Sequence, residues 1–151
     1  MKKIEINGIE ETQALAKKIA SLLKPGSLLT LKGDLGAGKT TFTKALGQAI
    51  GVKKTINSPT FTILKIYQGH MPLYHMDTYR LEGIAQDLGF DEYYEGDGVC
   101  IVEWPDFIED QLPKQRLEIV MRRCDDDQED EKRIFELRAV GSRYEKILEA
   151  L

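Results

Sequence analysis

SLLTLKGDLGAGKT, residues Ser27–Thr40, is the stretch that decides the fold. Ser27–Lys32 is a short, largely apolar run that reads as a buried strand. Gly33–Thr40 then matches G-x-x-x-x-G-K-[ST] in full. That pattern carries a mechanism only where a strand precedes it and a helix opens at its end, and both conditions are met here. Gly33, Gly36 and Gly38 free the backbone to curl, so that successive N–H groups face phosphate oxygens. The candidate cradle is Asp34, Leu35, Gly36, Ala37, Gly38, Lys39, Thr40 and Thr41. The helix N-terminus adds its positive dipole end to the same spot. Lys39 would bridge the β- and γ-phosphates, and Thr40 would ligate Mg²⁺ through its hydroxyl.

Working outward, Phe42, Ala45, Leu46, Ala49 and Ile50 share one helical face after the loop, and Gly51 stops the helix. Upstream, Lys3–Ile6 alternates like an edge strand, and Glu11–Leu23 carries Leu15, Ile19, Leu22 and Leu23 at helical spacing. Downstream, strands at about Thr62–Tyr67 and at Leu73–Asp77 flank the turn Gln68–Pro72 and predict an antiparallel hairpin. Val99–Trp104 is a further strand, stopped by Pro105. Arg116–Arg123 and Arg133–Val140 alternate on either side of the acidic run Asp125–Glu131 and predict a second hairpin. Ser142–Leu151 reads as an amphipathic helix with Ser142 as its N-cap. These readings predict an α/β fold, a P-loop NTPase-like three-layer domain with a mixed, mainly seven-stranded sheet, and residues 1–151 as a single domain.

A phosphate loop needs carboxylates at the ends of neighbouring strands to hold a magnesium shell. Asp77, ending LYHMD, and Glu103, near the end of VCIVEW, are placed to supply them, because α/β folds bind ligands at the C-terminal edges of their strands. Alternation puts Leu73, His75 and Asp77 on one face and Tyr74 and Met76 on the other. His75 reads as a core histidine more readily than as a catalyst. Thr60 follows the phosphate-loop helix, where a mobile threonine can sense Mg²⁺ and the γ-phosphate, with Ser58 as the nearby alternative. Arg80 is either a phosphate contact or an ion-pair partner of Asp77. Trp104, the single tryptophan, sits between Glu103 and Pro105 at the edge where phosphates should lie.

Composition sets the outer bounds. A hydrophobic fraction of 42% and a charged fraction of 30% describe a globular chain. The net charge is −4, and the body outside the acidic run lacks the basic footprint of a stand-alone nucleic-acid binder. No apolar run is long enough to span a membrane, and the N-terminal stretch has no apolar core of a secretory signal. Cys100 and Cys124 form no C-x-x-C pair, so neither a zinc site nor a disulfide framework is expected, and the expected location is cytoplasmic. No N-K-x-D stretch serves guanine and no L-S-G-G-Q-like segment occurs, which argues against a small GTPase and an ABC ATPase. An ATPase serving a partner, a small-molecule kinase and a nucleotide-dependent binding module stay open on these residues alone.

The order GDLGAGKT, SPTF, HMDTYRL, VEWPD within one short chain resembles the bacterial TsaE (YjeE) ATPases. The resemblance covers nearly the whole sequence, and the acidic run Asp125–Glu131 is the one stretch not associated with it. It implies a role in making the threonylcarbamoyl modification on adenosine 37 of tRNA. The family's protein does not transfer the threonylcarbamoyl group. It binds and slowly hydrolyses ATP, with Mg²⁺, while docked on a TsaB–TsaD complex, and meets tRNA only through that complex. By the same resemblance Asp77 is the Walker-B-like acid and Glu103 a magnesium or catalytic carboxylate. Thr60 joins them as a catalytic candidate, Trp104 and Arg80 face the partner, and Thr12 and Arg133 lie near the adenine.

Overall fold

The computed structural model describes residues 1–33, 37–57, 64–78, 89–124 and 132–151. Seven strands form one sheet: β1 (Lys2–Asn7), β2 (Ser27–Gly33), β3 (Leu64–Tyr67), β4 (Leu73–Asp77), β5 (Val99–Glu103), β6 (Arg116–Arg123) and β7 (Lys132–Val140). Their spatial order is β1-β7-β6-β2-β5-β4-β3. The central strands β6, β2, β5 and β4 run parallel, and the outer pairs β1–β7, β6–β7 and β3–β4 are antiparallel. The mixed α/β sheet and both hairpins are those the spacing predicts.

Burial explains this order. Leu28, Leu29 and Leu31 of β2 and all five residues of β5 are buried, so neither strand can sit at an edge. Alternation divides them between two apolar layers. Leu29, Leu31, Val99 and Ile101 join the larger cluster with Leu15, Ile19, Phe42 and Leu46. Leu28, Cys100 and Val102 join the smaller one with Met76, Tyr94, Ile108 and Leu112. Helices α1 (Ile9–Leu22), α2 (Lys39–Ala49) and α4 (Ser142–Ala150) contribute to the first layer. The second layer is thinner among the described residues: helix α3 (Asp91–Tyr94) and a 3-10 segment, Pro105–Gln111. Gly51 ends α2 in the left-handed region, at φ 94°, as its position predicts.

Two details differ from the sequence reading. Gly33 is the last residue of β2 rather than part of the curl, and a Cβ there would come within 2.6 Å of the Met121 carbonyl oxygen. Its glycine is required by close strand approach, not by a left-handed backbone. Ser142 is not the N-cap of α4: that position is Gly141, at φ 107°, and no side chain caps the helix. The chain must turn sharply out of β7, and a positive φ at the junction suits glycine. Gly8, at φ 95°, makes the same strand-to-helix corner between β1 and α1.

Cys100 is buried within β5, and burial pushes its thiol up to about 12. The group therefore stays protonated through pH 8 and is a poor nucleophile. Titration of the native protein with a thiol reagent at pH 8 should modify the half-buried Cys124 and leave Cys100 untouched until the chain is unfolded. Rapid native reaction of both thiols would contradict this burial.

Candidate nucleotide-binding site

β2 ends at Gly33 at the C-terminal edge of the parallel strands, and α2 begins at Lys39. Gly38 is the N-cap of α2 at φ 113°, ψ 8°, a left-handed conformation that glycine adopts without Cβ strain. No side chain caps this helix and no acid lies in its first turn, so its N-terminal N–H groups suit an anion. Ala37 is buried, and the ring of Phe135 on β7 backs the loop, 3.6 Å from where a Gly38 Cβ would stand. Thr40 is exposed in the first turn and Thr41 half-buried after it. Lys39 Nζ donates to the Gly33 carbonyl oxygen at 2.6 Å and sits 4.2 Å from the centroid of the Trp104 ring.

The two predicted acids end adjacent strands at this edge. Asp77 and Glu103 stand opposite each other in the β4–β5 register, one strand spacing, roughly 4.8 Å, apart. Asp77 is half-buried, whereas Glu103 is 5% exposed. Glu103 Oε2 lies 2.8 Å from His75 Nε2, and His75 is 2% exposed.

Trp104 follows directly and is the one non-glycine residue with positive φ among the described residues, at φ 57°, ψ 58°. Its N–H donates to the Leu31 carbonyl at 3.1 Å. Thr78, fully buried, donates its N–H to the Glu103 carbonyl at 3.1 Å. Its Oγ1 lies 3.0 Å from that same oxygen and 2.5 Å from the Trp104 carbonyl. The ring is half-buried and borders a cavity of about 250 Å³ lined by Lys32, Gly33, Val120, Met121 and Arg122. It leaves the sheet at the phosphate-loop edge rather than entering the core.

Thr12 and Arg133 lie toward the β1–β7 margin of the sheet, at the end where β1 and β6 finish. Thr12 is buried in the first turn of α1, and Arg133 is half-buried on β7, opposite Ile6. Asp34, Leu35, Gly36, Ser58, Thr60, Arg80 and the acidic run Asp125–Glu131 lie outside the described residues. Sequence reasoning missed Thr78 as a tie between strand ends. It placed His75 correctly on the Asp77 face but had no signal for Glu103 as its partner, because that pairing crosses strands.

The strand, loop and helix, with paired carboxylates at adjacent strand ends, define a P-loop NTPase-like α/β protein. The sequence model of the family described as Threonylcarbamoyl adenosine biosynthesis protein TsaE matches residues 6–134. The tRNA threonylcarbamoyladenosine biosynthesis protein TsaE of Bacillus subtilis (strain 168) is 55% identical over 143 residues, 94% of this chain and 88% of the relative. Its namesake in Treponema pallidum (strain Nichols) is 40% identical over 115 residues, 75% and 85% of the two chains. The crystal structure of Bacillus subtilis YdiB superposes with a TM-score of 0.82 at 47% identity, covering 98% of this chain and 91% of that one. This chain belongs to the TsaE family.

Replacing Thr78 by valine keeps the shape and removes the hydroxyl that reaches the Trp104 carbonyl. Thr78→Val should cost about 1–2 kcal/mol of stability by denaturant melts. It should also red-shift the emission of the single tryptophan as the left-handed turn loosens. Unchanged stability and emission would show that the hydroxyl does not hold this corner.

Proposed function

We propose that this chain is the ATP-binding and hydrolysing subunit that supports threonylcarbamoyl modification of tRNA adenosine 37. It acts on a TsaB–TsaD complex in the cytoplasm and meets tRNA through that complex. Residues 1–151 work as one ATPase domain. The observation that carries the reading is the placement of Lys39 and the uncapped start of α2 beside the Asp77–Glu103 pair at one sheet edge.

The residues present fit ATP and Mg²⁺. The left-handed Gly38, the buried Ala37 and the acid-free first turn of α2 suit a polyphosphate. The Thr40 hydroxyl and the carboxylates of Asp77 and Glu103 would supply oxygen donors of the kind Mg²⁺ prefers. When bound, the ion would neutralise phosphate charge and make the terminal phosphoryl group a better electrophile. The chain's own residues do the rest. The loop amides of 34–41 and Lys39 hold the phosphates, and Lys39 must exchange its Gly33 contact for a phosphate oxygen. Glu103 orients the attacking water, and Thr60 assists on the γ-phosphate side. Thr12 and Arg133 border the adenine. Trp104, beside Lys39 at the mouth, and Arg80 meet the partner complex, so hydrolysis by the isolated chain is weak and partner docking raises it.

Lys39→Ala removes the loop's cation, and one charge-assisted phosphate contact is worth about 1.5–3 kcal/mol. Titration calorimetry should therefore show ATP affinity falling about tenfold or more with the fold intact; unchanged affinity would refute the phosphate-loop assignment. Asp77→Asn and Glu103→Gln keep shape and lose charge. Both should bind ATP within a few-fold of the unaltered chain yet hydrolyse it far more slowly in the presence of the partner complex. Phosphorylation of a small acceptor in the same assay would favour a kinase instead, and silence throughout would leave a binding module.

A further inference from the structure

We propose that His75 is a positioning residue that holds the Glu103 carboxylate in its working orientation at the C-terminal edge of the sheet. The inference rests on the reading of Glu103 as a site carboxylate and adds a residue to it.

The argument starts from burial. His75 and Glu103 lie on the same face of adjacent parallel strands, 2% and 5% exposed. Below them on that face of β4 and β5 lie the buried aliphatic residues Leu73, Val99 and Ile101, and Asp77 ends the face beside Glu103. A carboxylate in such surroundings persists only with a hydrogen bond or a counter-charge. His75 Nε2, 2.8 Å from Glu103 Oε2, supplies it. No other hydrogen bond reaches this carboxylate among the described residues. The contact anchors one of its two oxygens.

The imidazole is a poor choice for packing alone. Its Nδ1 is buried and has no hydrogen-bond partner among the described residues. An unsatisfied buried nitrogen is costly, and a leucine would fill the same space without that cost. Among the described residues the ring's one polar contact is Glu103. Asp77 stands opposite Glu103 in the register, so two acidic residues end adjacent strands at one edge. The N–H of His75 holds the rotamer of Glu103 at that edge. A carboxylate that orients water must be held in place to be effective, and a hydrogen bond from behind is the usual means.

Glutamine carries an N–H the same number of bonds from Cβ as histidine Nε2, whereas leucine carries none. His75→Leu and His75→Gln are compared with the unaltered full chain, measuring ATP affinity, melting temperature and ATP hydrolysis with the TsaB–TsaD complex. His75→Leu should bind ATP within about twofold but lose about tenfold or more in kcat. His75→Gln should recover most of that loss. Combining His75→Leu with Glu103→Gln should be no slower than Glu103→Gln alone, since both act on one carboxylate. Full kcat in His75→Leu, equal loss in both single variants, or additive losses in the combination would overturn the inference. If His75→Leu does not fold, the His75→Gln rate and its combination with Glu103→Gln decide. A Glu103→Gln variant that hydrolyses ATP normally would instead overturn the assignment of Glu103, and this inference with it.

Discussion

The burial of β2 is the constraint on which the rest of the structure depends. Its backbone is paired on both sides in parallel, to β5 and to β6. Its side chains feed both apolar layers. A strand so enclosed can leave only at its C-terminal edge, where the sheet gives way to the phosphate loop and α2. Parallel neighbours end at the same edge, so the carboxylates of β4 and β5 arrive there as well. The tight start of the loop follows from this packing, since at Gly33 the backbone of β6 leaves no room for a Cβ.

The exit of β5 shows how tertiary contacts hold an unfavourable backbone. A non-glycine residue in the left-handed region costs of order 1–3 kcal/mol and persists only where surroundings over-determine it. Trp104 is held by the Leu31 carbonyl on one side and Thr78 on the other, and the following Pro105 is buried at the start of the 3-10 segment. The exposed pair Lys32–Asp106, at 2.7 Å, lies nearby but adds little, since solvent screens such contacts. The result is an indole ring over Lys39 at the mouth of the loop. A core position for this tryptophan would have required a strand that continued past Glu103.

Polar groups inside the larger apolar layer follow the same logic. His75 and Glu103 interrupt a face that is otherwise largely apolar. Such a pair is weak evidence for stability, because desolvation offsets most of the attraction. Its position near the C-terminal ends of β4 and β5 sets it at the edge from which β2 leaves for α2.

Much of this was legible in the residues alone. The strand–loop–helix unit, both hairpins, the mixed sheet and the two carboxylates follow from local spacing, because a period of two, a period of 3.6 and a glycine-rich loop are properties of neighbouring residues. Ser142 was misread as a cap because one residue separates two acceptable capping positions, and only the turn angle out of β7 selects Gly141. What tertiary structure alone decided was pairing across strands. Sequence spacing cannot say that β2 lies between β5 and β6, that Met121 crowds Gly33, that Thr78 ties Trp104, or that His75 reaches Glu103. Those contacts join residues far apart in the chain, and their geometry exists only once the sheet has assembled and buried both faces.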